Sequence, residues 1–285
     1  MINFECKSIP ALAGVGLKNQ HFQSILEQKS HVNWFEIHAE NYMSSGGLFH
    51  HYLELIREKY PLSIHGVGLS LGSYDGVNKQ QLMEFKELIK RYEPGLISEH
   101  LSWSRHGQNN LNDLLPMPYT KESVEVFVNN ISQTQDFLNR QILIENPSSY
   151  FELNYNEYSE QEFLVEIAQQ SGCGILLDVN NVFVSAKNHK FDANKYIDNI
   201  PASLVKEIHL AGHSVQSLLS SEIRIDDHGS MVCDEVWQLY QYTLNNIGAR
   251  PTLIEWDTNV PSWDVLASQA SIAHEHLIKM EGNGE

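Results

Sequence analysis

The sequence predicts an α/β protein built as a single (β/α)8 TIM barrel across residues 1–285. Three observations predict it. Eight short apolar runs recur along the chain, each starting roughly 20–45 residues after the last, with a helical pattern in most of the gaps. No linker of biased composition, internal repeat or low-complexity segment divides them. A doubly wound open sheet, the rival arrangement, more often carries a Gly-rich phosphate fingerprint after its first strand, and Gly14-Val-Gly16 lacks the third glycine.

Ala13–Leu17 reads as the first strand, followed by a polar helical stretch at His21–Gln28. Asn33–His38 is the second, ending among Glu36, His38 and Glu40. Leu48–Tyr60 has apolar residues at helical spacing and is closed by Pro61. Leu62–His65 is the third strand, with Gly66, Gly68 and Gly72 in the loop beyond, and Lys79–Tyr92 is a helix stopped by Pro94-Gly95. Gly95–His100 is the fourth strand. The segment after it, Trp103–Pro118, is longer than a usual connection and reads as a binding loop or lid. Helix Lys121–Leu138 leads to the fifth strand, Gln141–Pro147, and helix Glu160–Ser171 to the sixth.

The sixth is the most informative stretch, Gly174-Ile-Leu-Leu-Asp-Val-Asn-Asn-Val182. An apolar run after Gly indicates a strand enclosed on both faces, and Asp178 stands at its C-terminal end, where such proteins keep their chemistry. A short helix at Asp192–Ile200 precedes the seventh strand, Leu204–Leu210. A loop at Ile225–Gly229 and a helix at Asp234–Asn246 lead to the eighth, Pro251–Asp257, and Trp263–Met280 is the closing helix.

Hydrophobic content of 42% and charged content of 19% describe a globular chain with a full core. No run of about 18 apolar residues supports a membrane span, and Met1–Lys7 does not resemble a secretion signal. Cys6, Cys173 and Cys233 are too scattered for a zinc or disulfide framework, so a reduced, cytoplasmic setting is expected. A net charge of −17 argues against nucleic acid, whose phosphates need clustered Lys and Arg. It fits a protein that gathers acids and histidines around cations, or one that meets a basic partner.

Strands three to eight end in His65, His100, Glu145, Asp178, His209 and Glu255, each able to bind a divalent metal. In a barrel these ends converge on one mouth. Taken singly, a His there is more often a hydrogen-bonded structural residue, and an acid often caps the next helix. Burying all six without a cation would cost more than a domain's net stability of about 5–15 kcal/mol. A multinuclear metal site is the economical explanation. Asn181, three residues after Asp178 on a turn leaving the strand, could reach a neighbouring metal. Asp226 and His228, two apart, could point the same way from an extended loop, or form a plain surface turn. Glu36 and His38 share a strand face and could orient ligands. Imidazole and carboxylate ligands suit iron, manganese or zinc alike.

Several segments, in order, resemble one known family: Phe35-Glu-Ile-His-Ala-Glu-Asn-Tyr42, Ile64-His-Gly-Val-Gly68, Ser98-Glu-His-Leu-Ser-Trp103, Asn112-Asp-Leu-Leu-Pro-Met-Pro118, Ile144-Glu-Asn-Pro147, Leu177-Asp-Val-Asn-Asn181, Glu207-Ile-His-Leu-Ala-Gly-His213 and Ile254-Glu-Trp-Asp257. They look like the multinuclear non-heme iron-dependent oxidative enzymes, the family of the methanobactin biosynthesis oxidase. The resemblance implies a xylose isomerase-like TIM barrel holding two or three irons. It implies O2 as co-substrate and oxidative modification of residues, often cysteines, in a ribosomally made precursor peptide. A partner protein that recognises the leader peptide commonly takes part. Carried onto matching positions, the resemblance places one metal on His65, His100 and Glu145. Glu145 would bridge to a second on Asp178, His209 and Glu255, and Asn181, Asp226 and His228 would hold a third. The similar trinuclear site of endonuclease IV has His where this chain has Asn181, a weaker ligand. His213 and Asp257, just past strand ends, are candidates for ligand orientation or proton transfer.

Two other enzyme classes compete, a zinc phosphodiesterase of endonuclease IV type and a metal-dependent sugar isomerase. The acidic charge, with only Arg105 and His106 as basic residues in the long loop, weighs against the first. The isomerase usually wants a lysine near its metals, and the strand ends offer none. A structural cluster in an interaction protein is disfavoured because structural metal sites tend to be closed.

Overall fold

The computed structural model describes residues 8–28, 30–107, 109–217 and 222–282. Cys6, and the absence of a secretion signal expected from Met1–Lys7, lie outside them.

Eight parallel strands close a barrel in the order β1 (Ala13–Gly16), β12 (Thr252–Glu255), β9 (Val205–Ala211), β8 (Gly174–Asp178), β7 (Leu143–Glu145), β4 (Leu96–His100), β3 (Leu62–His65) and β2 (Phe35–His38). This is the (β/α)8 barrel the sequence predicts. Each strand is three to seven residues of mostly apolar, buried chain, as a strand covered on both faces requires. Gly14 in β1 is a packing requirement, since a Cβ there would lie 2.4 Å from the ring of the fully buried Trp34.

The helices are delimited by their caps. After α1 (Phe22–Glu27) and α2 (Leu48–Arg57), Asn78 Oδ1 accepts from two backbone N–H groups at the start of α3 (Lys79–Tyr92). Thr120 caps α4 (Lys121–Leu138), and Ser159 with Glu162 forms a capping box at α5 (Glu160–Ser171). Apolar faces pack onto the barrel wall through side chains such as Phe85, Phe127 and Phe163, each worth about 2–3 kcal/mol when fully buried. Among the described residues no helix is long and apolar enough to cross a membrane. Cys173 and Cys233 are free thiols.

Two local expectations are corrected, and one feature is added. The stretch from Val179 is not a turn leaving the strand but helix α6 (Val179–His189), and Asn181 sits in its first turn. Its β-branched and Asn residues are poor helix formers, but Asp178 caps it and Val179 to Ala186 are all buried, so packing overrides propensity. The long loop after β4 folds into an antiparallel hairpin, β5 (Trp103–His106) and β6 (Asn109–Leu115). A second hairpin, β10 (Ser214–Ser217) and β11 (Glu222–Ile225), precedes the Asp226–His228 segment.

Candidate metal centre

All six ligand-type side chains at the ends of β3, β4, β7, β8, β9 and β12 lie within the barrel mouth, and each is at least 91% buried. His65 and His100 present Nε2 atoms 3.3 Å apart, and each lies 3.4 Å from Glu145 Oε2. Donor atoms bound about 2.1 Å from one ion lie roughly 3.0–3.4 Å from each other, which is the spacing found here. Glu145 also belongs to a second group with Asp178, His209 and Glu255, whose donor atoms lie within 4.8 Å of one another.

The donor set also fits a cation by what it lacks. Glu145 Oε2, Asp178 Oδ2 and Asn181 Oδ1 are buried without a hydrogen-bond partner. Several orphaned acceptors in one buried cavity are costly unless a cation answers them.

Neighbouring groups orient the donors. Ser98, two residues before His100 on the inward face of β4, bonds His65 Nδ1 at 2.8 Å. With Nδ1–H donating to that hydroxyl, the His65 Nε2 lone pair faces Glu145 and His100. Burial, with His100 beside it, pushes the His65 imidazole well below its usual value, and burial pulls His100 down to about 4. Both are therefore neutral near pH 7, as ligation requires. Burial drives the Glu145 carboxyl well up, and burial with Asp226 nearby raises Asp178 to about 7. A metal would supply the positive charge these carboxylates lack.

Asp178 does two jobs, because its Oδ1 accepts the Asn181 N–H at 2.6 Å to cap α6 while Oδ2 stays free. Asn181 Nδ2 is held by the Asn146 carbonyl at 3.1 Å, which leaves its Oδ1 as the free atom. Asp226 and His228 are not a plain surface turn. They line a mouth cavity of about 440 Å³ together with His65, His100, Glu145 and Asn181. His228 Nε2 lies 2.7 Å from Asp226 Oδ1, and its Nδ1 donates to Asp257 Oδ2 at 2.9 Å. Burial disfavours the charged His228, but Asp226 and Glu255 outweigh it and its pKa stands well above the imidazole value.

Of the two residues expected just past strand ends, Asp257 lines the mouth and bonds His228. His213 stands further off. Its Nδ1 meets Asn180 Oδ1 at 2.9 Å, and Asn180 Nδ2 donates to Asp226 at 2.7 Å, so His213 reaches the mouth only through that relay.

Two residues near the centre, Glu207 and Lys18, carry no role in the sequence reading. Glu207, two before His209, has both carboxylate oxygens unpartnered and is fully buried. It forms a group with Glu36 and His209 beneath the centre, with His209 Nε2 at 3.5 Å from Glu36 and 3.9 Å from Glu207. The alternation that pairs Glu36 with His38 pairs Glu207 with His209, so the signal was available. A lysine is also present after all: Lys18, two residues past β1, forms an ion pair with Asp257. It lies beyond the end of β1 and outside the six donor-bearing strand ends.

Comparison with solved structures recovers the same barrel. D-psicose 3-epimerase of Clostridium cellulolyticum superimposes with a TM-score of 0.60 at 11% identity, covering 94% of this chain and 99% of that one. Endonuclease IV of Thermus thermophilus gives 0.58 at 14%, covering 94% and 99%. At those identities the likeness speaks for the xylose isomerase-like TIM-barrel fold alone. Sequence relatives are much nearer. A UPF0276 protein of Vibrio parahaemolyticus is 48% identical over 92% of this chain and 91% of its own length. One of Rhizobium meliloti is 44% identical over 95% and 88%. Residues 12–277 match the model of a family described as RiPP precursor modification enzyme MbnB/TglH/ChrH. With nearly the whole chain covered, this protein belongs to the MbnB/TglH/ChrH family of RiPP precursor modification enzymes.

Proposed function

We propose that the chain is a single-domain, multinuclear iron enzyme that uses O2 to modify, by oxidation, cysteine residues of a ribosomally made precursor peptide. One observation carries the reading: in a member of a peptide-modifying family, ligand-type side chains from six barrel strands converge with buried, unpartnered donor atoms at an open mouth. His65, His100 and Glu145 would hold one ion, and Glu145, Asp178, His209 and Glu255 a second. Asn181, Asp226 and His228 would hold a third, more weakly because an amide oxygen replaces a stronger donor. Iron in these positions would supply open coordination sites and the redox equivalents that O2 chemistry needs.

The chain's own residues prepare that centre. Ser98 fixes the His65 tautomer, and Asp257 accepts the Nδ1–H of His228 so that Nε2 is the nitrogen facing Asp226. Lys18 holds Asp257 from its other side, making Lys18–Asp257–His228 a chain along which a proton can be held at the mouth. Leu114, Leu115, Pro116, Tyr150 and Phe151 form an apolar rim that excludes water from a bound peptide. A separate partner protein that recognises the leader peptide completes the proposal.

The test is anaerobic loading with ferrous iron, Mössbauer spectroscopy, and O2 uptake with the cysteine-containing peptide encoded beside the gene. Coupled antiferromagnetic iron and peptide-dependent O2 uptake are expected. A centre that holds zinc alone in the native protein, with no uptake, sinks the oxidative reading and favours the hydrolytic one.

A further inference from the structure

A second cavity, of about 680 Å³, opens beside the metal mouth. Pro116, Tyr119, Ser149 and Phe151 line both, so the two spaces lie side by side and share a wall. At this second cavity stands Glu160, the first residue of α5. Its Oε2 accepts the Tyr119 hydroxyl at 3.0 Å and its Oε1 the Tyr196 hydroxyl at 2.8 Å. The two phenols hold the carboxylate in one orientation, and each oxygen keeps a lone pair for a further donor.

The charge around Glu160 is one-sided. Glu152 and Asp192 add two more carboxylates to the lining, against the single ammonium of Lys195. The walls are aromatic, with Phe151 and Phe191 still 56% and 39% exposed. Burial pushes the Glu160 carboxyl up to about 7, a cost that a cation placed beside it would offset. None of the charged residues among them belongs to the metal-ligand groups.

We propose that this cavity is a specificity pocket for an arginine side chain of the same peptide whose reactive residue sits at the metal mouth. The proposal rests on the peptide-modification reading above. A guanidinium suits the lining better than an ammonium does. It forks onto a carboxylate and stacks on aromatic faces, and both partners are present. The pocket thereby selects peptides with a basic residue a short distance from the modified one, and a net charge of −17 draws such peptides in.

The test uses short fluorescein-labelled synthetic peptides with one cysteine and one arginine at varied offsets, each paired with a neutral citrulline version. Binding to the metal-loaded full chain is followed by anisotropy. At one offset the arginine peptide is expected to bind about tenfold tighter than its citrulline pair, as a charge-assisted hydrogen bond provides. Glu160→Gln, which preserves shape and keeps both tyrosine contacts once one hydroxyl turns to accept from the amide NH2, should erase the preference. Glu152→Gln, at an exposed rim position, should weaken it and serves if the first variant does not fold. The preference should persist when the cysteine is replaced by serine and when the metal is stripped. Equal binding of the arginine and citrulline peptides at every offset, or a preference that survives Glu160→Gln, overturns the proposal. Arginine preference without any oxidation of the peptide leaves the pocket standing and removes the oxidative reading.

Discussion

His65 shows how little of a donor's behaviour lies in the donor itself. Its Nε2 is available because Ser98 takes the other nitrogen at 2.8 Å, and its imidazole is neutral because burial removes it from water. Ser98→Ala is therefore expected to weaken metal binding by about 10–100-fold, with the ring free to choose the wrong tautomer. A competition titration against a metallochromic chelator measures it, and unchanged affinity would reduce Ser98 to packing. Glu145 belongs to two donor groups, whereas His65 belongs to one. Glu145→Gln should lower metal content at two positions and His65→Ala at one. Elemental analysis of the two variants separates a shared carboxylate from a private one.

At the scale of elements, the junction of β8 and α6 carries most weight. Asp178 ends the strand, caps the helix through Oδ1 and leaves Oδ2 for a metal. These two roles come apart under substitution. Asp178→Asn retains a good cap but no carboxylate, so metal and activity should be lost with stability of the metal-free chain nearly unchanged. Asp178→Ala loses the cap as well and should be about 1 kcal/mol less stable than Asp178→Asn by urea unfolding. If the Ala variant keeps its metal, the centre is wrongly placed. The β5–β6 hairpin is positional in a different sense: its end, through Asp113, Leu114 and Leu115, lines the mouth where an open loop was expected.

At the scale of the whole molecule, the barrel interior stores uncompensated charge. Burial raises Asp178 and Glu207 to about 7 and Glu99 to about 8. A carboxyl whose folded pKa exceeds its unfolded value keeps protons in the native state that the unfolded chain has already released. Its contribution to stability is complete below the unfolded pKa and is lost as pH rises through the folded one. His209 and His228, raised by their carboxylate partners against the effect of burial, act in the same direction above 6.5. The metal-free protein should thus lose stability between about pH 6.5 and 8, and bound metal should shrink that loss. Thermal unfolding with and without chelator checks both signs. A metal-free protein that grows more stable over this window would contradict the interior charge arrangement.

The barrel was legible because its periodicity is local: short apolar runs, helical spacing between them, and Pro or Gly at the breaks are written residue by residue. The six strand-end donors were legible for the same reason, since strand ends of a parallel barrel must share a mouth. The helical state of Asn181 was not, because Val179-Asn-Asn-Val182 favours no helix until burial and the Asp178 cap decide it. Nor were Ser98 and Lys18, whose partners lie 33 and 239 residues away and are set by strand register and barrel closure. Which strand ends bear ligand-type side chains was thus determined by the sequence alone. Which of them touch, which nitrogen each imidazole offers, and how much charge the interior must hold were decided only by tertiary structure, because distance and desolvation belong to the closed barrel.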